Sequence, residues 1–120
     1  MRKFQLLLLT AALVAVMSPS QATAAGADEK VTVSGILMDK SCAVDMKMDA
    51  KSHDKDCGLM ADCIKSGYGI VTEDGKFVPL DAKGNKDAQA WLKATKMKTN
   101  LKVTATGTMD KNVLKVDTLK

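Results

Sequence analysis

Leu101-Lys102-Val103-Thr104-Ala105-Thr106-Gly107-Thr108-Met109 alternates apolar or small residues with polar ones without a break. Successive side chains of a strand point to opposite faces. Leu101, Val103, Ala105, Gly107 and Met109 therefore line one face, and Lys102 with the threonines lines the other. Asp110-Lys111-Asn112 turns the chain, and Val113 to Leu119 returns as a strand with Leu114 and Val116 inward. A hairpin with one apolar and one polar face belongs to an antiparallel sheet covered on one side.

Toward the N-terminus, Asn85 to Met97 carries Ala88, Trp91, Leu92 and Thr95 at helical spacing, with Trp91 as a core anchor. Gly69 to Thr72 and Lys76 to Leu80 read as short strands joined by Glu73-Asp74-Gly75, where Gly75 supplies the positive φ of the turn. Pro79 lacks a ladder donor, which places its strand at an edge. Val31 to Lys40 is the first strand, and Ser41 to Lys55 is an aperiodic, charged loop. Asp56 to Lys65 is a short helix, capped by Asp54 or Asp56 and stopped by Gly67. The order is β-α-β-β-α-β-β. This predicts a mainly β (α+β) domain, a small five-stranded OB-like barrel, with an open antiparallel α+β sheet as the alternative.

The N-terminus has a different character. Met1-Arg2-Lys3 precedes an apolar run from Leu6 to Met17, and Ala22-Thr23-Ala24 offers small residues where a signal peptidase reads. Residues 1–24 are expected to be a signal peptide, 25–30 a flexible leader and 31–120 a single domain. The apolar run is too short to span a bilayer comfortably, so no stable membrane insertion is expected after cleavage. The product would be periplasmic or secreted. Loss of Arg2 and Lys3 lowers the net charge from +4 to +2, and the lysines are scattered. With few aromatics as well, a nucleic-acid partner is not expected. Nothing in the composition identifies another partner.

The chemistry-bearing residues are concentrated. Cys42, His53, Cys57 and Cys63 comprise all three cysteines and the single histidine, within 22 residues. Export favours disulfides, and the odd count leaves one thiol over. In a continuous helix Cys57 and Cys63 stand about 9 Å apart along the axis, beyond the reach of a disulfide. A bridge from Cys42 to Cys57 or Cys63 is then the expected staple, contributing roughly 3 kcal/mol. The leading expectation is an exported binding or structural domain with a disulfide-stapled Cys/His loop.

Two alternatives use the same residues. Three thiolates and an imidazole make a tetrahedral set for zinc, and a Cys/His/Met set suits copper(I), although no Cys-x2-Cys knuckle is present. A thiol redox protein would need His53 to activate a neighbouring cysteine. Met38 and Met60 are expected to pack inside, and Met46 and Met48 lie in the charged loop. His53, beside Asp54, Lys55 and Asp56, also reads as a solvated loop histidine.

Gly35-Ile36-Leu37-Met38-Asp39-Lys40-Ser41-Cys42, then His53-x3-Cys57-x5-Cys63, then Lys65-Ser66-Gly67-Tyr68-Gly69 resembles a family of small exported bacterial proteins of largely unknown function. Leu101 to Gly107 is similar to the Val-Thr-Gly-type strand of that family. The resemblance implies an OB-like domain and an exported location. It singles out Asp39, Cys42, His53, Cys57 and Cys63, and it implies no activity. Many members space the last two cysteines more closely.

Overall fold

A computed structural model describes residues 29–120; the expected signal peptide and most of the leader lie outside the described residues. The chain runs β1 (Lys30–Asp39), a π-helical turn (Ser41–Asp45), a 3-10 turn (Ala50–Ser52), α1 (Lys55–Gly58), α2 (Ala61–Ser66), β2 (Tyr68–Val71), β3 (Phe77–Pro79), α3 (Ala82–Ala94), β4 (Lys102–Asp110) and β5 (Val113–Leu119). The strands form one antiparallel sheet in the order β3-β2-β1-β4-β5, so the domain is α+β.

The alternation from Leu101 to Gly107 is reproduced in space. Leu101, just before β4, and Val103 and Ala105 within it are buried, as are Leu114 and Val116 of β5. Lys111 and Asn112 both take positive φ, 48° and 67°, the backbone of a tight hairpin turn that follows the right-handed strand twist. A register shift at Thr106/Gly107 bends β4. A Cβ on Gly107 would lie 1.8 Å from the Lys115 carbonyl oxygen, so this close approach requires glycine. Gly75 has φ 82° in the β2–β3 turn, and Pro79 sits on the edge strand β3.

The expected barrel does not close. Edge strands β3 and β5 meet at one parallel bridge, Leu80 to Leu114, where the Asp81 amide donates to the Leu114 carbonyl at 3.0 Å. β3 has three residues and ends in proline, so it cannot supply a longer ladder. The chain then enters α3, which packs against β5 where a continued β3 would lie. Asp81 fixes that junction: Oδ1 accepts from the Gly84 amide at 2.9 Å and the Val116 amide at 3.2 Å. Because of this cap α3 begins at Ala82, earlier than its apolar spacing suggests, and buries Gly84, Ala88 and Leu92. Trp91 is half-buried against the same core.

β1 carries the transition that matters for the site. Its first half alternates between exposed and half-buried residues, and Ile36 to Asp39 is buried on both faces. There it lies between β2 and the start of β4, under the loop that follows. Lys30 already belongs to β1, so the strand begins one residue before the expected domain boundary. No helix among the described residues is long and apolar enough to cross a membrane.

Candidate metal centre

β1 ends in Asp39, and the π-helical turn begins two residues later at Ser41. That turn folds the chain back on the carboxylate. Asp39 Oδ2 accepts from the Ser41 hydroxyl at 2.7 Å and from the Cys42 amide at 3.0 Å. Asp39 is 0 % exposed. Burial pushes its carboxyl up. The Ser41 hydroxyl, the amide and thiol of Cys42 and the His53 ring outweigh that and hold it below the usual carboxylate range. A buried anion therefore stands at the end of the central strand.

The helical segment that follows is broken, and the break assembles the site. The single helix expected over Asp56 to Lys65 is two helices, with Leu59 and Met60 between them. α1 starts from Asp54, whose side chain accepts from the Asp56 amide at 2.7 Å. Met60 is in extended backbone as the N-cap of α2. Gly58 lies under Leu92 and the His53 ring; a Cβ there would be 3.4 Å from Leu92 Cδ1 and His53 Cε1. The Tyr68 hydroxyl donates to the Gly58 carbonyl at 2.6 Å from the neighbouring strand. With the helix interrupted, the Sγ atoms of Cys42, Cys57 and Cys63 all lie within 4.8 Å of one another. The corner also turns Met60 outward, to 59 % exposure, against the expectation that it packs inside; Met38 is buried as expected.

The staple is not formed. All three cysteines are free, and the Cys42 and Cys57 Sγ atoms are 3.9 Å apart. A disulfide needs about 2.05 Å. Two thiolates bound 2.3 Å from one tetrahedral ion stand about 3.8 Å apart. The observed spacing matches the second figure. Cys63, the other proposed bridge partner, is also an unbridged thiol.

The four residues singled out by sequence, Cys42, His53, Cys57 and Cys63, divide into two trios that share Cys42. One is Cys42, Cys57 and Cys63. The other is Asp39, Cys42 and His53, with one donor atom from each within 4.8 Å of the others. Charged neighbours suggested a solvated loop for His53, yet it is 1 % exposed. Its backbone is drawn in by the 3-10 turn, with its amide donating to the Ala50 carbonyl at 3.3 Å. Flanking contacts hold that stretch to the segment after α3: Lys55 N–H to the Lys98 carbonyl at 2.8 Å, and Asn100 N–H to the Lys51 carbonyl at 3.0 Å.

His53 Nε2 is 3.0 Å from Asp39 Oδ1, close enough for an ion pair when the ring is protonated. The approach is out of line for a hydrogen bond. Asp39 Oδ1 and both ring nitrogens are buried with no hydrogen-bond partner among the described residues. Buried polar groups are normally satisfied, so three orphaned donor atoms in one place call for a further partner. A cation answers that need, and the sulfur, nitrogen and oxygen donors fit zinc or copper.

Cys42 and Cys63 are not electrostatically activated. Burial, then the Asp39 charge, pushes both Cys42 and Cys63 upward. The same two influences push Tyr68 up to about 12. This disfavours a reactive thiolate at Cys42 or Cys63 without a cation. A bound cation reverses the balance, since metal ligation displaces the proton from a thiol.

Asp39 did not belong to the ligand set read from the sequence, although the family resemblance marked it. Ser41 and Tyr68 stand in the motifs of that resemblance, and their hydrogen bonds to Asp39 and to the Gly58 carbonyl are not legible there. An ionisable residue ending the apolar run Ile36-Leu37-Met38 was the available signal for Asp39. An open groove elsewhere, lined by Lys47, Asp49, Glu73 and Lys102 among others, mixes both charge signs and contains none of the cysteines. No family model, curated protein or solved structure matches this chain.

Proposed function

We propose that this is an exported, metal-stapled domain that binds zinc or copper through Cys42, Cys57 and Cys63. The observation that carries the reading is the convergence of three unbridged sulfurs from two separate segments within 4.8 Å. Cys42 follows β1, and Cys57 and Cys63 lie on α1 and α2. An ion held by all three would join the end of the central strand to both short helices. That is the mechanical role the sequence suggested for a disulfide. Metal binding is coupled to folding in such small domains, because the sulfurs are gathered only in the folded state. Asp39 and Ser41 would orient the Cys42 segment. Export rests on the N-terminal pattern. The OB-like reading rests on the single bridge that brings the two sheet edges together.

The test is metal binding by the reduced, metal-stripped protein. Cobalt(II) titration should produce the near-ultraviolet thiolate-to-metal charge-transfer band, and zinc should bleach it. Copper(I) binding is measured by competition with a chromophoric chelator. Single Cys→Ser changes at 42, 57 and 63 should each weaken binding at least tenfold. A fully reduced protein that binds none of these ions overturns the proposal.

A further inference from the structure

The second trio is more than surroundings for the first. We infer that Asp39, Cys42 and His53 form a second metal position, and that the Cys42 thiolate bridges it to the first, so the centre holds two divalent cations. This rests on the metal-binding reading above.

Asp39, Cys42 and His53 are 0 %, 2 % and 1 % exposed, so bulk solvent does not reach their donor atoms. His53 Nδ1, His53 Nε2 and Asp39 Oδ1 lack hydrogen-bond partners among the described residues. The other carboxylate oxygen, Oδ2, is occupied by the Ser41 hydroxyl and the Cys42 amide. The carboxylate is thus held by one oxygen and leaves the other free beside the histidine, the division of labour expected of an oriented metal ligand. The 3.0 Å between Nε2 and Oδ1 suits two donors on one ion. Donors each about 2.1 Å from a cation stand roughly 3.0 to 3.4 Å apart, at angles from a right angle to tetrahedral.

Cys42 is the member common to both trios. A thiolate has lone pairs enough for two ions, and its backbone is pinned to Asp39 at 3.0 Å. Charge decides between one ion and two. Three thiolates and one carboxylate carry a charge of −4. One divalent ion leaves −2 in a buried site, or −1 with a protonated His53 ring, whereas two leave zero, and uncompensated charge in a low-dielectric interior is expensive. Two copper(I) ions would leave −2, and copper(I) has little affinity for the carboxylate oxygen. Ions of the zinc class are the occupants that fit.

The experiment uses the reduced full chain loaded with excess zinc, desalted, and measured by native mass spectrometry with elemental analysis. Two zinc ions per chain are expected, falling to one in His53→Gln. One ion in the native protein overturns the second position and leaves the three-cysteine site standing. Two ions retained in His53→Gln also overturn it, because the second ion then lies elsewhere. No zinc in the native protein removes this inference; if copper(I) and cobalt(II) also fail to bind, the metal-binding proposal falls with it. Cadmium NMR of the native protein gives a readout independent of any variant's folding. Two resonances with mutual cadmium–cadmium coupling are expected through the shared sulfur, and two uncoupled resonances refute the bridge.

Discussion

Removing the Asp39 carboxylate should be among the most damaging single changes in this domain, even without metal. Asp39→Ala deletes the acceptor for the Ser41 hydroxyl at 2.7 Å and for the Cys42 amide at 3.0 Å, and the carboxylate beside His53. The hydroxyl can rotate to another partner, but the buried amide cannot. Each hydrogen bond to a charged group contributes about 1.5–3 kcal/mol, and the rotating Ser41 hydroxyl recovers part of its share, so the expected destabilisation is ~3–5 kcal/mol. Against a total stability of order 5–15 kcal/mol, that is a large fraction. Asp39→Asn keeps the volume and one acceptor, and should lose ~1–3 kcal/mol.

The assay is urea unfolding of the reduced protein in chelator, with the slope monitored to confirm two-state behaviour. Acid provides a second reading. The Asp39 pKa is lower folded than unfolded, so its contribution is present above the unfolded value, 3.8, and is lost as pH falls through the folded value. The stability gap between the native protein and Asp39→Asn should therefore narrow on acidification below about pH 4. A double-mutant cycle with His53→Gln should show coupling of at least ~1 kcal/mol. An Asp39→Ala protein within ~1 kcal/mol of native stability, at unchanged slope, would refute the claim that this carboxylate organises the site.

Two further outcomes follow from the same surroundings. Tyr68 is 2 % exposed and its pKa is raised to about 12, so its contribution is intact below pH 10 and lost between pH 10 and 12. Over that range Tyr68→Phe should lose ~2–3 kcal/mol less than the native protein when both are followed by urea unfolding, the loss common to both coming from Cys42 and Cys63. In the metal-free, reduced protein at neutral pH, Cys57 should alkylate first, because it is half-buried while Cys42 and Cys63 are buried and pushed upward. Mass mapping that finds Cys42 or Cys63 modified first contradicts this account of the burial and the Asp39 field.

Most of the sheet was legible in the sequence because strand periodicity is local. Leu101, Val103, Ala105, Leu114 and Val116 point inward as their alternation requires, Gly75 turns its hairpin, and Pro79 marks the edge. Barrel closure was not legible. It depended on whether a three-residue β3 ending in Pro79 could reach β5, and Asp81 diverts the chain into α3 first. The site was legible as a list of residues and misread as an arrangement. A continuous helix sets Cys57 and Cys63 far apart, and the Leu59–Met60 interruption brings their sulfurs together. His53 looked solvated from its charged neighbours, and it is buried beside Asp39 at the end of β1, with the residues on either side of it tied to the segment after α3.

By itself the sequence determined the strands, the hairpin turns, the inward faces and which side chains can carry chemistry, since each follows from residue type and near-neighbour spacing. Only the tertiary structure decided that the three sulfurs converge unbridged and that Asp39 joins them. It also set two orphaned imidazole nitrogens beside a free carboxylate oxygen. The physical reason is that ligand geometry depends on distances between segments, and these arise when the core around β1 packs, not from the order of residues along the chain.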